Sequence, residues 1–230
     1  MNPILHILAR TPLFSGLAAE QLEQLHTIAQ EKAIGKGETV FWEGEEGVGF
    51  YIVVEGLIKV FKLSAEGKEQ ILHIYGPGHP FGEVPVFAGQ HFPANAQAVE
   101  KSRLLFFPRQ DFISLIAASP SLAMNMLAVL SMRLRQFTVQ VENLSLKEVP
   151  GRLAAYLIYL AGEQRSPQKV SLPISKGQLA SLLGTIPETL SRIFNRMAAQ
   201  ELIAVQGSQI DLLDREALED LALNGRLAGG

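Results

Sequence analysis

The chain contains no cysteine among its 230 residues, which excludes disulfides, thiolate catalysis, iron–sulfur clusters and cysteine-based zinc sites. Histidine is scarce, with five residues, and no two have the i, i+4 spacing of a helical zinc pair. No apolar run approaches the roughly 18 residues that a membrane span requires. The N-terminus lacks the basic start and cleavage site of a signal peptide. We therefore expect a cytoplasmic protein with no membrane partner and no evident catalytic constellation.

What the chain does contain is typical of a globular protein, with 47% hydrophobic and 19% charged residues. Its length fits two modules or one large barrel. The net charge of −3 is unevenly distributed, because residues 147–210 carry seven Lys/Arg against four Asp/Glu. A mildly basic segment is weak support for nucleic-acid binding.

The first half of the chain changes from helical to β-rich near Lys32. Residues 17–28 have the apolar spacing of a helix. Short β-rich runs then alternate with glycine-containing turns, at 39–42, 50–54, 57–63, 71–75, 94–99 and 102–107. This spacing indicates an antiparallel barrel or jelly roll.

A short helix is predicted over 109–118, and a long one from about Ser119. Apolar residues of the long helix recur at alternating intervals of three and four: Leu127, Leu130, Leu134, Phe137, Val141 and Leu144. A core helix usually has a wider apolar face, so this seam favours a two-stranded coiled coil and a parallel homodimer. Burial of the seam within one chain remains the alternative.

Pro150-Gly151 predicts a hinge, followed by a helix over 152–162. Val170, Leu172 and Ile174 alternate as a strand, helices follow at 178–183 and 187–200, and a hairpin is predicted from 203–205 and 210–212. Helix–turn–helix plus hairpin is a winged helix-turn-helix. The predicted fold is thus α+β, with a barrel domain (1–118), a dimerisation helix (119–147) and a winged helix-turn-helix domain (148–230).

The helix starting at Pro187 has the pattern of a DNA recognition helix. Its first turns present Glu188, Ser191 and Arg192, while Leu190, Ile193 and Met197 can face inward. Glutamate accepts a hydrogen bond from cytosine N4, and arginine donates to guanine O6 and N7. A solvated helix start with an i, i+4 Glu188–Arg192 pair is the simpler alternative. Four further residues are predicted contacts to the DNA backbone: Lys176, Thr189, Arg196 and Ser208.

The order of barrel, long helix and winged helix, with the sequence Pro-Glu-Thr-Leu-Ser-Arg at 187–192, resembles the CRP/FNR family of bacterial transcription regulators. The resemblance extends from Thr11 to the wing. It implies a cyclic-nucleotide-binding-like barrel and an effector that is a small molecule or a gas. It also implies double-stranded DNA and RNA polymerase as partners. The Glu-x-x-Ser-Arg pattern resembles the branch that reads TTGA-type inverted repeats.

Cyclic-nucleotide-binding members of this family carry Gly-Glu and, about ten residues later, an Arg-Ser or Arg-Thr pair that holds the phosphate. This chain has Gly82 and Glu83, but Pro93 and Ala94 stand where the pair is expected. A buried phosphate would lack a cationic partner there, so cyclic AMP is not the expected effector. An iron–sulfur cluster is excluded by the lack of cysteine.

The stretch 93–99 and Ser145-Leu146-Lys147 resemble the nitric-oxide-responsive branch of the family. That resemblance implies haem b between the barrel and the long helix, which requires an axial ligand to the iron. Among the five histidines, His73 in the strand at 71–75 is the candidate ligand. A partly buried or surface position of His73 without iron is the simpler alternative. The predicted effector pocket comprises eight residues: His73, Phe81, Gly82, Glu83, Val86, Phe87, Met126 and Leu127. A set of Phe and Met residues is more often an ordinary core than a cofactor pocket.

Two alternatives remain open from the sequence. One is a regulator of the same fold with a different effector or none. The other is a cupin-type metalloenzyme, since cupins share the barrel and bind metal through His and Glu. His73, His79 and Glu83 have the wrong spacing for that site, and an enzyme would not explain the C-terminal domain.

Overall fold

In the computed structural model, residues 3–89 and 91–225 are described, and the chain divides into two units, Met1–Leu134 and Arg135–Gly230. The first unit contains helices α1 (Pro3–Arg10), α2 (Ala19–Ile28), α3 (Val84–Ala88), α4 (Arg109–Ala118) and the start of α5 (Pro120–Leu146). Its strands are β1 (Gln30–Ile34), β2 (Thr39–Phe41), β3 (Gly49–Glu55), β4 (Ile58–Leu63), β5 (Glu69–Tyr75), β6 (Pro80–Phe81), β7 (Asn95–Ala98) and β8 (Ser102–Pro108).

The eight strands form two four-stranded antiparallel sheets, in the orders β1-β8-β3-β6 and β2-β7-β4-β5. Side chains of both sheets meet in one core, which includes Val53 and Phe106 from the first sheet and Phe41 and Ile58 from the second. The predicted jelly-roll barrel is therefore confirmed, and this core lies between its sheets.

A second core covers the other face of the first sheet. Phe50 and Phe107 pack there against Phe14, Phe112 of α4 and Met126 of α5. Strands β3 and β8 thus bury side chains on both faces, which explains their nearly continuous apolar sequence.

The second unit contains α6 (Val149–Glu163), α7 (Lys176–Leu182), α8 (Pro187–Ala199), α9 (Arg215–Asn224) and three strands: β9 (Lys169–Ser171), β10 (Ile203–Gln206) and β11 (Gln209–Leu212). The strands form an antiparallel sheet in the order β10-β11-β9. Helices α7 and α8 with this sheet make the predicted winged helix-turn-helix.

Two details differ from the sequence-based prediction. Pro150 and Gly151 lie within the first turn of α6, so the break after α5 falls at Lys147 and Glu148 instead. Proline is tolerated in a first turn, where its missing N–H has no intrahelical partner. The strand predicted through Ile174 ends at Ser171, and Pro173 soon after it has no N–H to donate to a ladder.

Within the described residues, no single helix has the length and hydropathy to cross a membrane. Helices α4 and α5 meet that criterion only as a pair bent by 114°.

Candidate DNA-reading helix and effector pocket

Helix α8 is held by a buried apolar face and begins after a tight turn. Leu190, Phe194 and Met197 are at most 3% exposed. Gly184 has φ +68° in the turn from α7, a backbone conformation that favours glycine. Pro187 then occupies the first turn, where its missing N–H has no intrahelical partner. The buried apolar face positions α8 and leaves the polar residues of the helix pointing outward.

The three predicted base-reading residues lie together on the outside of α8. Glu188, Ser191 and Arg192 are all exposed. Arg192 donates from Nη2 to Thr189 Oγ1 at 3.2 Å and forms no ion pair with Glu188. The first turns of the helix therefore present one acceptor, one hydroxyl and one guanidinium to solvent.

The four predicted contacts to the DNA backbone lie on α7, on α8 and in the turn between β10 and β11. Lys176 begins α7, and its ammonium lies 5.2 Å from the Phe194 ring centroid of α8. Arg196 is exposed on α8, and Thr189 is half-buried. Ser208 is exposed in the turn between β10 and β11, where its carbonyl accepts from the Leu172 amide at 2.8 Å. Thus Lys176 is adjacent to α8, and Ser208 is at the wing tip.

The predicted pocket has a polar centre that involves a residue missed from the sequence. Arg133 of α5 pairs with the carboxylate of Glu83 and donates to the Pro80 carbonyl. Its guanidinium carbon lies 5.3 Å from the Tyr75 ring centroid. Carboxylate, carbonyl and ring face together satisfy the guanidinium charge. Arg133 had no sequence signal, because polar residues of a long helix are normally solvated.

His73 lies beside this centre on β5. Its ring centroid is 4.5 Å from that of Tyr75. Burial, with the positive charges of Arg133 and His79, lowers the pKa of His73 to about 4. Burial likewise raises the pKa of Tyr75 to about 12. Both side chains are therefore neutral at physiological pH.

The remaining apolar residues of the predicted pocket are divided between two cores and the surface. Phe81 belongs to the core between the sheets. Val86 and Met126 belong to the core under the helices. Phe87 and Leu127 are 44% and 57% exposed.

The interior of the barrel is occupied by aromatic side chains. Phe41 and Phe92 stack with ring centroids 3.7 Å apart, and Phe81 contacts Phe41, Tyr51 and Tyr75 at centroid distances of 5.3–6.1 Å. Gly82 has φ +73°, and a side chain there would begin 3.0 Å from the Phe41 ring. Gly82 is thus packed closely against aromatic rings of the barrel core, whereas Glu83 pairs with Arg133.

A barrel joined to a winged helix-turn-helix with a polar outer face is the architecture of a DNA-binding regulator. A family model described as "Cyclic nucleotide-binding domain" matches residues 31–119. Another, described as "Crp-like helix-turn-helix domain", matches residues 151–221.

Known proteins agree over nearly the whole length of the chain. The cyclic AMP receptor protein of Thermus thermophilus is 31% identical over 212 residues, which cover 92% of this chain and 97% of that protein. The fumarate and nitrate reduction regulatory protein of Escherichia coli is 31% identical over 211 residues, or 90% and 84% of the two chains. The structure of FixK2 from Bradyrhizobium japonicum has a TM-score of 0.76 at 25% identity and covers 84% of this chain and 97% of that one.

The chain belongs to the CRP/FNR family of transcription regulators. It is a DNA-binding regulator, and its relatives are not enzymes. The metalloenzyme alternative is therefore rejected.

Proposed function

We propose that the protein acts as a cytoplasmic homodimer, reads a TTGA-type inverted repeat and works with RNA polymerase. The observation that carries this proposal is the exposure of Glu188, Ser191 and Arg192 on the first turns of α8. Those turns are the part of a recognition helix that meets base edges in the major groove.

The base-reading roles follow from the hydrogen-bonding groups. Arg192 donates to O6 and N7 of the guanine in each half-site, and Glu188 accepts from N4 of a cytosine on the opposite strand. Ser191 contacts a base or a phosphate. Lys176, Thr189, Arg196 and Ser208 contact the DNA backbone and fix the position of α8 without reading sequence.

Dimerisation is supported by the exposed seam of α5. Leu127, Leu134, Phe137 and Val141 are 46–69% exposed, although they follow the a/d spacing of a coiled coil. Leu130 and Leu144 are half-buried. A second copy of α5 would cover this apolar stripe, and a two-fold dimer matches an inverted repeat.

A cyclic nucleotide is not the effector we propose, although relatives are named for cyclic AMP. Ala94 is buried and supplies no donor side chain, and the Pro93 carbonyl accepts from Lys62 Nζ at 3.0 Å. Lys62 is itself paired with Glu43. Of these residues, only Lys62 is cationic, and its ammonium is already paired with Glu43 and the Pro93 carbonyl.

Haem-dependent sensing of nitric oxide is a second proposal, and His73 alone supports it. A neutral imidazole is the form that binds iron, and the pKa of His73 is lowered to about 4. The surroundings do not fit a macrocycle, since Phe81, Val86 and Met126 are packed in two separate cores. A different effector or none is the alternative.

Titration of the purified protein with haemin tests the second proposal. A saturable, sharp Soret band near one haem per protomer, shifted by nitric oxide and lost in His73→Ala, would support haem sensing. A broad band that does not saturate would contradict haem binding and would leave the DNA-binding proposal intact.

A mobility-shift titration tests the principal proposal. The wild type should prefer an inverted TTGA repeat over a scrambled duplex by about a thousandfold or more. Arg192→Ala should abolish that preference without affecting dimerisation, because it removes the contact to guanine. Arg215→Ala is the matched control, since Arg215 pairs with Glu219 on α9 and should leave the preference unchanged. Retained discrimination by Arg192→Ala would contradict the assignment.

A further inference from the structure

Arg152, on the first turns of α6, uses all three guanidinium nitrogens on backbone carbonyls. Its Nε donates to the Lys147 carbonyl at 2.9 Å. Its Nη1 donates to the Leu183 carbonyl at 2.8 Å, and its Nη2 donates to the Leu144 carbonyl at 2.9 Å. Arg152 is half-buried, and burial lowers its pKa.

These carbonyls belong to the ends of two different helices. Leu144 lies in the last turn of α5, Lys147 follows that helix directly, and Leu183 is the C-cap of α7. The last carbonyls of a helix have no intrahelical donor and carry partial negative charge. One guanidinium therefore caps α5 and α7 together.

The backbone around Arg152 leaves little room for adjustment. A side chain at Gly151 would begin 2.6 Å from Gly225 Cα and 3.0 Å from the Leu221 carbonyl. A side chain at Gly225 would in turn begin 3.3 Å from Lys147 Cα. The first turn of α6, the end of α9 and Lys147 are thus packed backbone to backbone.

The cap at Leu183 also bears on the recognition helix. Only Gly184, Thr185 and Ile186 separate Leu183 from the start of α8. The Thr185 amide donates to the Ala180 carbonyl at 2.9 Å, which holds this short turn on α7. Fixing Leu183 relative to the end of α5 therefore fixes where α8 begins.

We propose that Arg152 is a positioning residue that sets the angle between the last turns of α5 and the recognition helix, and thereby the half-site spacing that the dimer accepts. The proposal rests on the proposed function, because a spacing requirement exists only for a dimer on an inverted repeat. A planar guanidinium reaches three carbonyls at fixed angles, whereas a lysine ammonium at the same place is a point donor on a flexible stem.

Spacing is a sensitive readout of this angle. Inserting or deleting one base pair rotates one half-site by about 34° relative to the other and shifts it along the DNA axis. If Arg152 holds the end of α5 rigidly to α7 and α8, both displacements weaken binding. If that connection is flexible, α8 can follow the displaced half-site and binding is weakened less. General destabilisation would weaken binding to every spacing alike.

The experiment is a fluorescence-anisotropy titration of the full chain on duplexes with two TTGA half-sites. The wild type is first used to find the best spacing, and duplexes one base pair longer and shorter are then compared. We expect the wild type to prefer its best spacing at least about tenfold, equivalent to about 1.4 kcal/mol. Arg152→Gln should reduce this ratio to about threefold or less, and Arg152→Lys should also reduce it.

Controls distinguish an effect of Arg152 on half-site spacing from effects on base recognition and on folding. Arg215→Gln, on α9, should keep the wild-type ratio. Both Arg152 variants should still prefer TTGA half-sites over scrambled ones. The ratio of affinities for the different spacings is measured within one preparation. Partial unfolding lowers all of these affinities by the same factor and therefore leaves the ratio unchanged.

An unchanged spacing ratio in both Arg152 variants, with weaker binding at all spacings, would overturn the proposal. A wild type that binds the inverted repeat without any spacing preference would instead overturn the proposed dimeric function, and the inference with it.

Discussion

At the level of single residues, two arginines inside this protein donate to backbone carbonyls. Arg133 donates to the Pro80 carbonyl as well as pairing with Glu83, and Arg152 donates to three carbonyls. Every residue has a carbonyl, so such contacts have no sequence signature. Glu188, Ser191 and Arg192 could be predicted because helical spacing separates them from Leu190 and Met197.

His73 makes the stability of the barrel unit depend on pH. Its pKa in the folded chain is about 4, against an ordinary value of 6.5. Between these values the unfolded chain binds a proton that the folded chain does not, so stability falls as the pH is lowered from 6.5 towards 4. From pH 7.5 to pH 5, His73 should remove about 2 kcal/mol from the free energy of unfolding.

Urea unfolding followed by the fluorescence of Trp42, the chain's one tryptophan, measures this effect in the barrel unit. His73→Gln should lose about 2 kcal/mol less than the wild type over the same pH interval. The exposed His91 provides the control, since His91→Gln should retain the wild-type dependence. Equal pH dependence in His73→Gln and the wild type would show that His73 titrates normally.

At the scale of elements, periodicity predicted the alternating strands and the helix–turn–helix well. It could not identify α3, a helix of five residues between strands, because so short a segment has no measurable period. The hinge predicted at Pro150-Gly151 was misplaced for a different reason. Proline and glycine usually break helices, but here Pro150 is the second residue of α6, and Gly151 permits the close approach of α6 to Gly225.

The seam of α5 yields a prediction about assembly. Val141 is 63% exposed, and in the proposed dimer it would face the partner helix. Val141→Glu should therefore dissociate the dimer, because a carboxylate would lose water without gaining a partner. Gln136→Glu, at an exposed polar position of the same helix, should not.

Sedimentation equilibrium at concentrations on the order of micromolar distinguishes the two variants, with circular dichroism to confirm that both are folded. If the Val141→Glu variant is folded and still dimeric, the apolar stripe of α5 is not the dimer interface.

At the scale of the whole molecule, the order of barrel, long helix and winged helix was predictable from sequence, and the family matches confirm it. The effector pocket was not predictable in the same way. Apolar residues such as Phe81 and Val86 have the same pattern whether they line a cavity or fill a core, and here they are fully packed in separate cores.

In the proposed dimer, two copies of the chain read two inverted half-sites through Arg192 and its neighbours on α8. Titration of the wild type tests this arrangement with three duplexes: two TTGA half-sites as an inverted repeat, the same two as a direct repeat, and one half-site alone. We predict one dimer per inverted repeat, with binding tighter than to the direct repeat by about tenfold or more. Equal affinity for the inverted and direct repeats, or binding of one protomer per duplex, would contradict the account.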